Sequence, residues 1–217
     1  MVAALVLWLA AAVVQAEPAP PPPQPPPPAT DVSFHARAAY RAGEAGSALG
    51  PRVGFSVGIG YHRRLATVAN RVELGAAADL FHDRFARGVQ GSAMVAPGVE
   101  TPYDAIRVIS QTSFAALGTA GLRGHRIHAW LGGGAGLTVG YFSTAEAALR
   151  PGAATAYQPI VRAAAACAVV IRPRVAVIVR GDYSWVLTRH RFSPRDGGAI
   201  AVFGDFTDVG VGVGYRF

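Results

Sequence analysis

The sequence predicts an all-β fold, a transmembrane antiparallel up-and-down β-barrel of about eight strands. Three observations predict it. Apolar residues recur at every second position through most of the chain, charges are confined to the other face of the same segments, and the connections alternate between short and long.

The chain has 217 residues, of which 51% are apolar and 15% charged, and its mean hydropathy is +0.29. Past the leader, no stretch supplies the run of about 20 apolar residues that a membrane-crossing helix needs. The apolar bulk must therefore sit in strands. All 20 Lys+Arg residues are arginines. They are scattered singly, with no basic helix or RNA-reading motif, so the net charge of +7 points to membrane-surface phosphates and away from nucleic acid. The single cysteine, Cys167, excludes an intramolecular disulfide and reads as a small apolar residue on a strand.

Val2 to Val14 is an apolar segment too short for a comfortable span and right for an export-signal core. Val14-Gln15-Ala16 places small residues where a signal peptidase reads, so residues 1–16 are read as a signal peptide cleaved after Ala16. No Lys or Arg precedes the core; either the amino terminus supplies the charge or the true start lies upstream. No cysteine follows it, which argues against a lipoprotein anchor. Residues 17–31 are dominated by proline and alanine, an extended polyproline spacer that buries nothing. The folded domain, residues 32–217, is expected to begin near Asp31 or Val32.

The first strand sets Phe34, Ala36, Ala38 and Tyr40 against His35, Arg37 and Arg41. The second is the cleanest: Val53, Phe55, Val57, Ile59 and Tyr61 alternate with Gly54, Ser56, Gly58, Gly60 and His62. In the third, Val72, Leu74, Ala76, Ala78 and Leu80 oppose Glu73, Gly75, Ala77 and Asp79. The fourth sets Ile106, Val108, Thr112, Phe114 and Ala116 against Arg107, Gln111 and Ser113, with Ile109 and Leu117 falling on the polar side. The fifth opposes Ile127, Ala129, Leu131, Ala135, Leu137, Val139 and Tyr141 to His128, Trp130, glycines and Thr138. The sixth opposes Val161, Ala163, Ala165, Cys167, Val169 and Ile171 to Arg162 and small residues. The seventh sets Val175, Val177, Val179, Tyr183, Trp185 and Leu187 against Arg180, Asp182 and Ser184. The eighth sets Val209, Val211, Val213, Tyr215 and Phe217 against Asp208, three glycines and Arg216.

Alternation alone fits a soluble barrel with the apolar face inside as well as its inverse. Three features favour the inverse. The strands are long, as tilted membrane strands are. Tyr61, Tyr141, Tyr157, Tyr183, Trp185, Tyr215 and Phe217 stand near the ends of the apolar faces, where interfacial girdles lie. The connections, read as 43–51, 64–69, 83–104, 119–124, 143–155, 173 and 190–202, are short at the second, fourth and sixth positions. Short turns on one side and longer loops on the other match a barrel threaded from the periplasm. Closure then demands an interior filled by side chains. Inward glycines at 54, 58, 60, 132, 134, 136, 210, 212 and 214 make room for inward arginine, tryptophan and histidine. Glu73, Asp79, Asp182 and Asp208 are the expected partners of the inward arginines, in a structural ion network with no open pore.

With these strands and the final run Val209 to Phe217, which ends on an aromatic with Val211, Val213 and Tyr215 spaced by two, the domain resembles the small eight-stranded OmpA/OmpX-like barrels of the bacterial outer membrane. The resemblance covers residues 32–217 and departs from OmpA in lacking a peptidoglycan-binding domain after the barrel. It implies an outer-membrane location and recognition of the last strand by the outer-membrane assembly machinery. Expected partners are outer-membrane lipid and lipopolysaccharide, and a monomer is expected.

No motif fixes an activity, and no catalytic, cofactor-binding or metal-ligating residue is assigned. His125 and His128, three apart, face opposite sides of a strand and cannot share a metal. The remaining histidines, His35, His62, His82 and His190, read as structural or interfacial. Gly132-Gly133-Gly134-Ala135-Gly136 lacks the Lys-Ser/Thr of a phosphate loop and lies within a strand. His82, Ser143, His190 and Ser193 fall near the outer rim without a motif joining them; barrel lipid A deacylases and palmitoyltransferases use polar residues there. Arg189-His190-Arg191 with Arg195, and Arg84 with Arg87, are the basic groups on the outer side, suited to lipopolysaccharide phosphates. The expected role is structural or surface-interacting and non-catalytic, with a lipid A-modifying enzyme, a narrow solute channel and a soluble ligand-binding barrel as the alternatives.

Overall fold

A computed structural model describes residues 30–41, 53–68, 71–144, 152–188, 191–192, 200–201 and 203–217. The segment read as a signal peptide, nearly all of the proline-rich spacer, residues 42–52, 69–70 and 145–151, and most of the last outer connection lie outside the described residues. The strands are β1 (Thr30–Arg41), β2 (Val53–Val68), β3 (Val72–Ala96), β4 (Val99–Arg123), β5 (Ile127–Thr144), β6 (Gly152–Arg172), β7 (Val175–Val186), the two-residue β8 (Arg191–Phe192) and β9 (Ile200–Ala201), and β10 (Phe206–Arg216). Eight of them close a barrel in the order β1-β10-β7-β6-β5-β4-β3-β2, every pair antiparallel; β8 and β9 form a separate two-stranded pair. The seam runs from Asp31 opposite Arg216 to Arg41 opposite Phe206. It leaves neither edge strand of the open sheet unpaired, which lipid requires.

The sequence-predicted faces are the observed ones, turned apolar side out. In β1 the even positions 34–40 are exposed while Ser33, His35, Arg37, Ala39 and Arg41 are buried. Val57, Leu74, Val179 and Val211 all stand on the outer wall, 43–56% exposed, while the side chains of Arg37, Asp79, Asp182 and Asp208 are wholly enclosed. This is the arrangement of a barrel solvated by lipid. Ile109 and Leu117 do face inward, as the alternation of β4 requires.

The third connection is where the structure departs from the sequence reading. Residues 83–104 are not a loop: β3 and β4 continue as one hairpin to a two-residue turn at Pro97-Gly98. Gly98 takes φ +80, and proline followed by a positive-φ glycine is the signature of a type II turn. Pairing of β2 with β3 stops at Phe55–Arg84 and that of β4 with β5 at Arg107–Thr144. Beyond those pairs the hairpin is a two-stranded ribbon, reaching about 30 Å past the barrel wall at about 3.3 Å per residue. Outside the membrane neither face needs to be apolar, so alternation ceased to mark these strands although the pairing continued. Smaller differences follow the same logic: β2 extends to Val68 through a bulge at Arg64/Ala66, and β4 extends to Arg123.

The outward wall sets a clear expectation. Val211→Arg, in the apolar belt, should cost about 2–4 kcal/mol of folding free energy, and Tyr215→Arg, at the interface, about 0–1 kcal/mol. Equilibrium unfolding in lipid vesicles measures both; equal costs would contradict the lipid-facing assignment.

Candidate functional site

The interior is organised in three levels along the barrel axis. At the centre, Arg180 of β7 clamps two carboxylates. Its Nη1 donates to Asp79 Oδ1 at 2.8 Å and its Nη2 to Asp182 Oδ1 at 2.7 Å, and Nη2 also pairs with Asp79 Oδ2. Arg37 of β1 pairs with Asp182, lies 3.4 Å from Asp208 and donates to Ser56 Oγ at 3.2 Å. Arg162 of β6 donates through Nε to Ser184 Oγ at 2.9 Å. Two arginines, Arg180 and Arg37, thus engage three aspartates, and Arg162 stands beside them on Ser184 with Nη1 and Nη2 making no hydrogen bond. Asp182 and Asp208 are direct cross-strand neighbours, a repulsive pair unless a cation intervenes, and Arg37 is that cation. Phe81 is the apolar partner of the cluster: Arg37, Arg180 and Arg162 lie 3.5, 5.3 and 5.5 Å from its ring centroid, within cation–π range.

Space for this cluster comes from the glycines. A Cβ on Gly58 would overlap the Phe81 ring, and one on Gly210 would meet the Arg37 side chain at 2.6 Å. Asp79, Asp182 and Asp208, expected as acceptors, are found in the centre; Glu73, also expected, belongs to a separate group at the short-turn end, which Asp31, not expected, joins. There Arg64 and Arg123 reach Glu73 at 3.1 and 3.3 Å and Arg216 reaches Asp31 at 2.9 Å. His62 stacks on Trp130 at 5.6 Å and hydrogen-bonds Thr119, while His128 sits 3.2 Å from the Arg216 guanidinium. Between this group and the central cluster lies a cavity of about 50 Å³, the scale of a few waters.

The outer level is largely apolar, with a buried arginine, Arg41, whose guanidinium lies 5.6 Å from the Phe85 ring centroid. Ala39, Phe85, Ile109, Phe142, Ala156 and Phe203 form a buried cluster below the outer mouth. Phe203 comes from the segment between β9 and β10 and is 1% exposed. Its ring lies against Gly140, where a Cβ would stand 2.6 Å from it. Sequence reasoning missed this stopper; the signal was Gly140 on an inward position, matched by an aromatic lying in a connection.

The rim residues are not brought together. His82 faces outward and hydrogen-bonds Thr112 at 2.9 Å. Ser143 of β5 pairs with Val108, four residues along β4 from Thr112, so the two lie about 13 Å apart along the strand direction. Arg84 and Arg87 are exposed near the rim and the base of the ribbon. His190, Ser193, Arg189 and Arg195, and the side chain of Arg191, lie outside the described residues. His125 is exposed in the β4–β5 turn while His128 is turned to the interior.

No family model and no curated protein matches the sequence. Solved structures do match. Ail, the attachment invasion locus protein of Yersinia pestis, superposes with a TM-score of 0.51 at 11% identity, covering 88% of this chain and 99% of that one. A major outer membrane protein from Thermus thermophilus superposes at 0.53 with 9% identity, covering 87% and 99%. The chain has the fold of the small bacterial outer-membrane β-barrels. Ail has also been solved with the heparin analogue sucrose octasulfate, and that structure matches at 0.51 with 13% identity over 88% of this chain and 99% of that one. At such identities the likeness is one of fold. In an outer-membrane barrel the short turns face the periplasm, which places the Glu73 group at the inner end and the Phe203 stopper at the cell surface.

The ionic core and the apolar stopper each generate one expectation. Arg180→Ala strands Asp79 and Asp182 in the interior and should cost about 3–5 kcal/mol, seen as a lower urea midpoint of unfolding in lipid vesicles. Gly140→Val should expel Phe203 at a cost of about 1–3 kcal/mol; Gly140→Val combined with Phe203→Ala should recover part of that loss in the same assay.

Proposed function

We propose that the protein is a non-catalytic outer-membrane barrel acting at the cell surface, as an envelope-structure or surface-interaction protein that meets lipopolysaccharide headgroups or an external partner. The observation that carries this reading is the β3–β4 ribbon. It is a described surface that neither the lipid belt nor the packed interior requires. The filled interior argues in the same direction: an ionic centre and an apolar stopper occupy the space that a solute path would need. Arginine suits the phosphates of lipopolysaccharide, and Arg84 and Arg87 are exposed at the level where those phosphates would stand.

Liposomes carrying the barrel should swell in solute no faster than protein-free ones; rapid swelling would replace this reading by the channel. The lipid A mass profile of a deletion strain should match that of the parent; an altered acyl pattern would indicate a lipid-modifying enzyme. Alanine at Arg84, Arg87, Arg189 and Arg191 together should weaken lipopolysaccharide association by about 1 kcal/mol per arginine placed near the headgroups, and unchanged association in a pull-down would remove lipopolysaccharide from the proposal.

A further inference from the structure

The charge of this chain is gathered at one end of the barrel, and that end is the periplasmic one. The strand ends and turns there carry Arg63, Arg64, Arg71, Arg123, Arg126, Arg172, Arg174 and Arg216. The carboxylate side chains at the same level are Asp31 and Glu73, a surplus of six positive charges in a chain whose formal total is +7. The two carboxylates are already engaged from within the barrel end, Asp31 by Arg216 at 2.9 Å and Glu73 by Arg64 and Arg123 at 3.1 and 3.3 Å. The other five, Arg63, Arg71, Arg126, Arg172 and Arg174, are exposed. They are spread over all three periplasmic turns and so stand around the rim rather than on one side.

Their depth is set by what adjoins them. Tyr61 lies two residues before Arg63 on the same outward face, and Ile171, 63% exposed, immediately precedes Arg172. Arg174 Nη1 donates to the hydroxyl of Tyr215 at 3.4 Å, and the Tyr215 ring packs edge-on against Phe217, their centroids 5.0 Å apart. Tyrosines with guanidinium groups beside them and an apolar wall above mark the headgroup level of the leaflet. A soluble acidic partner would need no such aromatic and apolar border. Arginine matches phosphate oxygens with paired donors.

We propose that the periplasmic rim is a cationic collar that holds anionic glycerophospholipids of the inner leaflet by their headgroup phosphates. It is a site on the opposite face from the surface role proposed above, and it stands whether or not that role does. The collar recruits a lipid annulus richer in acidic headgroups than the surrounding leaflet and fixes the depth of the barrel in the membrane.

The test uses the full barrel in bilayers of phosphatidylcholine containing a minority of spin-labelled phosphatidylglycerol or spin-labelled phosphatidylcholine. The motionally restricted fraction of each label gives the relative affinity. The wild type should prefer phosphatidylglycerol several-fold, and the preference should fall as salt is raised. Changing Arg71, Arg126, Arg172 and Arg174 to glutamine should abolish it, the four lysine replacements should retain most of it, and glutamine at Arg84 and Arg87 should leave it intact. Equal restriction of the two lipids by the wild type at low salt overturns the proposal, with or without a folded variant. So does a preference that survives the four glutamines or is lost with Arg84 and Arg87. Equal restriction accompanied by binding of soluble dextran sulfate would assign the collar to an acidic periplasmic partner instead.

Discussion

The pairing of β1 with β10 is the constraint on which the rest of the molecule depends. A sheet immersed in hydrocarbon cannot leave backbone donors and acceptors open at its edges, so eight strands must meet end to end. Once they do, the wall has an outside bathed in lipid and an inside only as wide as the side chains that fill it. Each residue of the wall is then assigned twice, by its parity along the strand and by its height. Parity decides between valine and arginine; height decides between arginine matched to aspartate, as at Arg180, and phenylalanine packed on phenylalanine, as at Phe85 and Phe142.

Burying six ionisable groups in the centre of a small cylinder is stabilising only if the pairing is nearly complete. A dedicated ion pair in a dry interior recovers little more than its desolvation cost, whereas an unmatched member is expensive. The cluster meets this demand in part by sharing, while Arg162 Nη1 and Nη2 and both Asp208 carboxylate oxygens make no hydrogen bond. Arg180 serves two carboxylates, Asp182 accepts from two arginines, and Arg37 separates two aspartates that the sheet register forces together. The ring of Phe81 fills the space between the guanidinium groups and presents its electron-rich face to Arg37. The bare glycines of β2 and β10 are the steric counterpart of this arrangement, since a methyl group at Gly58 or Gly210 would displace the ring or the arginine.

The wall was legible in the sequence because two solvents act on it. Lipid on one side and packed ions on the other force a period of two that Val53 to Tyr61 and Val209 to Phe217 display without exception. The same reasoning named Asp79, Asp182 and Asp208 as partners of the inward arginines, although which arginine takes which aspartate depends on barrel shear and could not be read from one strand at a time. The ribbon of β3 and β4 was illegible for the converse reason. Beyond Arg87 the ribbon leaves the barrel wall, alternation has no cause, and a charged residue such as Glu100 resembles a loop while the backbone remains paired. Phe203 was hidden because its contact with Gly140 joins a connection to a strand 63 positions earlier, a separation that no local pattern records.

The ribbon stands under a looser regime than anything beneath it. From Gly88–Ile106 to Ala96–Val99 its pairs have no lateral strand among the described residues, so a changed side chain there disturbs neither the lipid seal nor the charge balance of the core. Diversification of the outward tip is therefore thermodynamically cheap, and the molecule can alter the face it presents to its surroundings while the anchor that holds it stays the same.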